Sequence, residues 1–303
     1  MRTITLEEID AYIAEQDQDE SAFVKPAAAY CDEVINRFYG EEQKAKSKQL
    51  PWSKAFGMFD LRESEVTLWL GYNGHGKSLL LGQIINRLMQ QGGKACIASL
   101  EMRPVATLQR MCRQAAGSDS PSIDYIRAYH AWTDNRLWIY DQHGATPPHR
   151  IENLCRYVAS MGIRHIVIDS LMKVIEGEDD YNGQKSFVNR LCIIARDTGL
   201  HVHLVHHSRK GQDEHKVPGK MDAKGSGAIT DLVDNCVSVW RRKDPTDDKP
   251  DCLLSIDKQR HGEWEGKVAL WFHQPSQSFC ETDARRVHAI PLTLMQEEYK
   301  HEF

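Results

Sequence analysis

The sequence predicts an α/β fold, with a mainly parallel central sheet flanked by helices and a short helical N-terminal arm. Two observations carry this. From Glu65 onward, short apolar runs alternate with longer amphipathic stretches. The apolar runs lack a polar face, which is the pattern of strands covered on both sides, and regular strand–helix alternation builds parallel units.

The elements follow in order. VTLWLG (66–71) reads as a buried strand and SLLLGQIINRLMQQG (78–92) as a helix. Strands are expected at 95–100, 137–141, 165–169 and 202–207, with helices over 105–116, 150–160 and 187–197. CVSVW (236–240), LLSID (253–257) and VALWF (268–272) are further strands. No helical stretch separates these last runs, so that edge is expected to be an antiparallel meander. Residues 1–52 are expected to form a helical arm and a polar linker, 53–280 the main domain, and 281–303 a tail with a helix near 292–299.

Composition excludes several classes. The 303 residues are 41% hydrophobic and 27% charged, enough apolar content for a real core. No apolar run approaches the ~18–20 residues that span a bilayer, so no membrane association is expected. The first twenty residues carry seven acids and one base and lack the apolar region of a signal peptide. The eight cysteines contain no C-x-x-C pair. They are expected as buried thiols of a cytoplasmic protein, and structural zinc is not expected. Net charge is −5. Nucleic-acid binding would therefore need a local basic patch.

The most specific motif is Gly71-Tyr-Asn-Gly-His-Gly-Lys77-Ser78, which fits G-x-x-x-x-G-K-S between a strand and a helix. Backbone N–H groups of such a loop, with the helix N-terminus behind them, cradle phosphates. Gly71, Asn73, Gly74, His75, Gly76, Lys77, Ser78 and Leu79 are the candidate nucleotide contacts, with ATP or another NTP as ligand. Lys77 is expected on the β- and γ-phosphates and Ser78 on Mg²⁺. The strand 165–169 ends in Asp169, a carboxylate at the sheet edge where α/β folds bind ligands, and a second candidate for holding Mg²⁺. Glu101 follows the strand 95–100 at the same edge, where a carboxylate can polarise an attacking water.

Four segments extend this constellation. ASLEM (98–102), LVHHSRK (204–210), GSGAITDLVDNCVSVWRR (225–242) and IDKQRHGEWEG (256–266) follow one another in the order of the DnaB-type replicative helicases. Residues 52–273 resemble the RecA-like ATPase core of that family, in its phage and mitochondrial branch. The resemblance implies a ring, six subunits round, that moves 5′→3′ on single-stranded DNA and opens forked duplex. His207 matches the γ-phosphate sensor, although His206 beside it leaves the register open. Lys258 and Arg260 match the basic pair that reaches a neighbour's nucleotide, Arg260 as a finger in trans. Arg209, Lys210, Lys216, Lys220 and Lys224 lie where the family carries its DNA loop and suit phosphate contacts.

Arg242 and Phe272 are candidates for framing the base by stacking, with Trp271 equally suited to a core role. Only about 50 residues precede the core, and neither a primase nor zinc-ligand spacing is among them. Priming would then fall to a separate primase, with a polymerase or loader as further partners. This suits a compact phage or mobile-element protein in a bacterial cytoplasm. Two alternatives stand beside the helicase. One is a RecA-like strand-exchange ATPase that forms filaments on single strands; the other is a regulatory ATPase without nucleic acid.

Overall fold

The computed structural model describes residues 26–39, 47–142, 144–175, 177, 180–208, 217–219, 222, 227–243, 245 and 247–295. The chain divides into two compact units, 1–46 and 47–303. In the first, a 3-10 turn, Ala27–Tyr30, leads into helix α1, Cys31–Tyr39. Val34, Ile35, Phe38 and Tyr39 of this helix are exposed.

The second unit opens with strand β1, Ser47–Gln49, paired antiparallel to β2, Asp60–Arg62. Leu50 and Trp52 are buried here, and the Trp52 indole N–H donates to the carbonyl of Phe279 at 2.8 Å. The expected linker therefore ends earlier than residue 52: 47–52 belong to the larger unit.

The strands of the main sheet are β3 (Val66–Leu70), β4 (Ala95–Ser99), β5 (Leu137–Ile139), β6 (His165–Asp169), β7 (His201–Val205), β8 (Asn235–Arg241), β9 (Cys252–Gln259), β10 (Gly266–His273) and β11 (Ser278–Cys280). Their order is β11-β10-β9-β8-β3-β7-β6-β4-β5. From β8 to β5 every pair is parallel; β8, β9, β10 and β11 pair antiparallel in sequence. The antiparallel edge is as expected.

Helices cover both faces. On one lie α2 (Lys77–Gln90), α3 (Pro104–Ala116) and α4 (Ile123–Thr133); on the other α5 (Pro148–Ser160), α6 (Tyr181–Thr198) and the short α7 (Ala228–Leu232). Two separate apolar clusters result, one on each side of the sheet. This is why β3, β4, β6 and β7 are buried at every position and read as continuous apolar runs.

Helix α2 shows which force wins. Leu80, Ile84 and Leu88 are fully buried on one stripe, at about 1.5–3 kcal/mol each. A side-chain cap contributes about 1 kcal/mol. The helix holds its place although Gly76 before it offers no side-chain cap. Its first N–H groups are thereby left for a ligand.

Helix α4 was not expected. Its signal is Ser122, whose hydroxyl accepts from the Tyr125 N–H at 3.2 Å as an N-cap. The expected tail is partly built in: Ile290 and Met295 are buried and 292–295 are helical. Of the eight cysteines, all are free thiols and seven are buried.

Candidate nucleotide-binding site

The loop after β3 is shaped by close neighbours. A side chain at Gly71 would run into the Val239 carbonyl oxygen, so only glycine fits there. Gly76 takes φ +89°, and a Cβ would lie 3.0 Å from the Phe279 ring. Lys77 opens α2 and folds back under the loop. Its ammonium donates to the carbonyls of Gly71 (2.8 Å) and Tyr72 (3.0 Å) and lies 3.4 Å from His207 Nδ1. Lys77 is 6% exposed, and burial lowers its ammonium to about 8 against the opposing pull of Asp169 and Glu101.

Four adjacent strands deliver the rest. In the order β3-β7-β6-β4, the carboxyl ends carry the loop, His207, Asp169 and Glu101. Ser78 Oγ donates to Asp169 Oδ2 at 2.5 Å. Asp169 is 7% exposed, and burial pushes its carboxyl upward, against the Ser78 hydrogen bond. Ser99 and Asp169 are register partners, which sets Glu101 beside the aspartate.

Glu101 is partly exposed. His207 Nε2 stands 3.9 Å from its Oε1, and the Ser170 hydroxyl donates to the same oxygen at 2.9 Å. These contacts, His207 foremost, hold the carboxyl down at about 2. Of the two neighbouring histidines, His206 is buried, its N–H bonded to the Trp69 carbonyl, and His207 faces the cleft.

Asn73, Gly74, Gly76, Lys77, Ser78, Leu79, Glu101, Asp169 and His207 thus line one open cleft of about 960 Å³. Arg103, Arg110 and Lys173 line it too and were not anticipated. The Lys243 ammonium also lies near the loop tip, 3.6 Å from where a Gly74 Cβ would be. A residue before a helix-starting proline and one four positions past Asp169 were visible signals for Arg103 and Lys173. Nothing in the local sequence pointed to Lys243. The cleft can receive a polyphosphate. The paired Ser78 hydroxyl and Asp169 carboxylate are hard oxygen donors of the type magnesium takes.

Other expected residues fall elsewhere. His75 does not face the cleft: it is 2% exposed, edge-on to Tyr72 at 5.3 Å, and its Nδ1 accepts the Arg241 N–H at 3.2 Å. The pair expected to frame the base, Arg242 and Phe272, borders one hollow together with Arg241. Arg242 turns to Asp247 (2.6 Å), while Arg241 lays its guanidinium 4.2 Å over the Phe272 ring. The hollow measures about 320 Å³. A one-residue shift along a strand exchanges the two faces, which is why Arg241 and not Arg242 covers the ring. Trp271 is half-buried at the sheet surface, its indole donating to the Asp248 carbonyl (3.0 Å) under the Lys54 ammonium.

Lys258 and Arg260 lie at the opposite edge of the sheet, since Asn235 at the start of β8 pairs with Gln259. Lys258 donates to three carbonyls, Thr230, Asp231 and Val233, at 2.8–2.9 Å. Arg260 donates to the carbonyls of Asp231 and Leu232 (both 3.2 Å) and stands 3.6 Å from Asp234. Neither is a freely solvated turn residue. Arg209, Lys210, Lys216, Lys220 and Lys224 lie outside the described residues, as do 1–25 and 296–303 of the arm and tail.

No curated protein matches the chain. Among solved structures, the ATPase domain of G40P superposes with a TM-score of 0.68 at 19% identity, over 82% of this chain and 97% of that one. A DnaB-like replicative helicase, solved in a study of its interactions with primase, gives 0.67 at 17% identity, over 91% of this chain and 71% of that one. These likenesses show the fold, a RecA-like ATPase sheet flanked by helices, as the motifs led one to expect. Residues 44–213, over half of the sequence and holding the whole cleft, match the AAA domain model, and the chain belongs to that family of ATPase domains.

Proposed function

We propose that the chain is an ATP-dependent replicative DNA helicase of the DnaB type, acting as a ring, six subunits round, on single-stranded DNA with 5′→3′ movement. One observation carries this reading most. The cleft of one chain gathers Lys77, Ser78, Asp169, Glu101 and His207, while the basic pair Lys258 and Arg260 stands at the far edge of the same sheet. A site that needs Arg260 is incomplete without a second copy, and head-to-tail contacts of that kind close into rings. Helix α1, with Val34, Ile35, Phe38 and Tyr39 exposed, is suited to hold such copies together.

In the reaction, the loop N–H groups and Lys77 bind the β- and γ-phosphates. Bound Mg²⁺, held through Ser78 and Asp169, would supply charge neutralisation at the phosphates. Glu101, kept ionised by His207 and Ser170, orients the attacking water. His207 lies between Lys77 and Glu101 and so meets both the phosphate side and the water side of the cleft. It begins the stretch that leads into 209–224, whose basic residues would contact the DNA backbone. Primase, polymerase or loader partners, and action in a bacterial cytoplasm, follow from the same reading.

The test is unwinding of a forked duplex with a free 5′ tail, with ATP and Mg²⁺, beside Lys77→Ala. Strand release by the parent alone supports the helicase. Intact duplex with turnover stimulated by single strands would favour a filament-forming strand-exchange ATPase. Turnover indifferent to DNA would reject the nucleic-acid assignment.

A further inference from the structure

We infer that His75 is a positioning residue: its imidazole ties the phosphate loop to the strand end bearing Arg241, so that phosphates and base meet one rigid unit. The inference deepens the proposed nucleotide site and rests on it, with the hollow beside Phe272 as the base subsite.

Strand β8 outruns its neighbour. The pairing with β3 stops at Leu70 and Ser238, while β8 continues to Arg241. This overhang flanks the loop. Gly71 abuts the Val239 carbonyl at its base, and His75 takes the Arg241 N–H at its far side. The His75 ring is enclosed and packed on Tyr72. A packed aromatic of the same size would fill that space. What the imidazole adds is an acceptor, Nδ1, aimed at one backbone N–H.

Arg241 is held from both ends. Its backbone meets His75, and its guanidinium covers Phe272 at 4.2 Å. Its Nε is buried with no partner among the described residues, and the residue borders the hollow. A second route runs in parallel. Phe272 packs on Phe279 at 5.2 Å, and Phe279 sits under Gly76. The Phe279 backbone is strapped to α2 by two hydrogen bonds with the Gln83 side chain, at 2.8 and 2.9 Å. The loop is therefore braced against the wall of the hollow at His75 and at Gly76. Of these braces, the His75 contact is the one that reaches the strand end bearing Arg241.

The experiment compares binding of ADP and of pyrophosphate, each with Mg²⁺, to the full chain by calorimetry. Their affinity ratio isolates what base and ribose add. In His75→Phe, which keeps bulk and removes the acceptor, ADP is expected to weaken about fivefold to tenfold while pyrophosphate stays within about twofold. His75→Asn, whose side-chain oxygen replaces Nδ1, is expected to recover most of the ADP affinity. His75→Leu serves as a second acceptor-free variant should the phenylalanine not fit, and melting curves check that each variant is folded. Equal weakening of both ligands, no weakening, or no recovery with asparagine overturns the inference. A parent protein that binds ADP no tighter than pyrophosphate removes the base subsite, and the inference with it. A parent that discriminates, with a ratio unchanged in His75→Phe, rejects the inference alone.

Discussion

The indole N–H of Trp69 donates to Nδ1 of His203 at 3.3 Å, and this one contact fixes a chain of protons through the sheet. An indole can only donate, so His203 carries its proton on Nε2, which points to His165 Nδ1 at 3.3 Å. Beside it, His201 donates through Nδ1 to the Arg62 carbonyl and takes the Thr67 hydroxyl on Nε2 at 2.9 Å. Asn235 then donates to Thr67 Oγ1 and to the Glu65 carboxylate. All three imidazoles are fully enclosed and neutral.

Acid is therefore expected to unfold this protein early. Burial holds His165 and His203 well below the ordinary histidine value and His201 at about 4, with Lys48 adding to the first and Arg62 opposing protonation of the last. Asp234 and the Arg62 carbonyl pull His201 the other way. In the unfolded chain each titrates near 6.5. The unfolded state thus binds more protons below that pH, and stability falls from about pH 6.5 toward pH 4. Melting temperature measured from pH 7.5 to 4.5 should drop steadily; a flat profile down to pH 5 would contradict the neutral ladder.

Lys77 gives a second pH effect of the opposite kind. Its ammonium sits at about 8 in the free protein, so it deprotonates as pH rises through that value. Bound phosphates favour the charged form. ADP binding at pH 8.5 should take up a proton and weaken relative to pH 7. Calorimetry in two buffers of different ionisation enthalpy reads this directly, and identical heats in both at pH 8.5 would refute it.

Burial raises the Asp169 carboxyl, so carrying a charge there costs stability. Asp169→Asn keeps an acceptor for Ser78 and removes the charge. Melting temperature should rise. ATP turnover should fall at least ~10²-fold. Unchanged turnover would remove Asp169 from the site.

Lys258 and Arg260 should separate cleanly. Lys258 spends all three N–H donors on carbonyls around the end of α7. Lys258→Met is expected to lower melting temperature by about 4 °C or more. Arg260→Ala should leave ADP affinity unchanged within about twofold and reduce ATP turnover ~10³-fold or more. Near-normal turnover in Arg260→Ala would count against a finger supplied to a neighbour.

The parts legible in the sequence are those in which one local stretch fixes both element and chemistry. The phosphate loop and Glu101 follow apolar strands and Asp169 ends one, and parallel pairing then brings strand ends to one edge. Arg241, Lys243 and the His75–Arg241 contact were hidden, because they depend on how far β8 overhangs β3. The histidine ladder was hidden for a similar reason. His165, His201 and His203 are distant in sequence or masked within apolar runs, and only register sets them face to face. Short β11 and the β1–β2 pair are too brief for periodicity to mark.

The position of β3 also bears on how the chain comes to be folded. Both neighbours of this strand, β7 and β8, are encoded far downstream: 134 residues separate Trp69 from His203, and 168 separate Val66 from Asp234. At a synthesis rate of ~5–20 residues per second, the ribosome delivers the phosphate loop roughly 6–25 seconds before any strand that can flank it. Until then the apolar edge of β3 has only solvent or chaperone for company. Nascent chains stalled before residue 201 should therefore bind no nucleotide, and competence should appear late, once β8 has emerged and the last neighbour slots in.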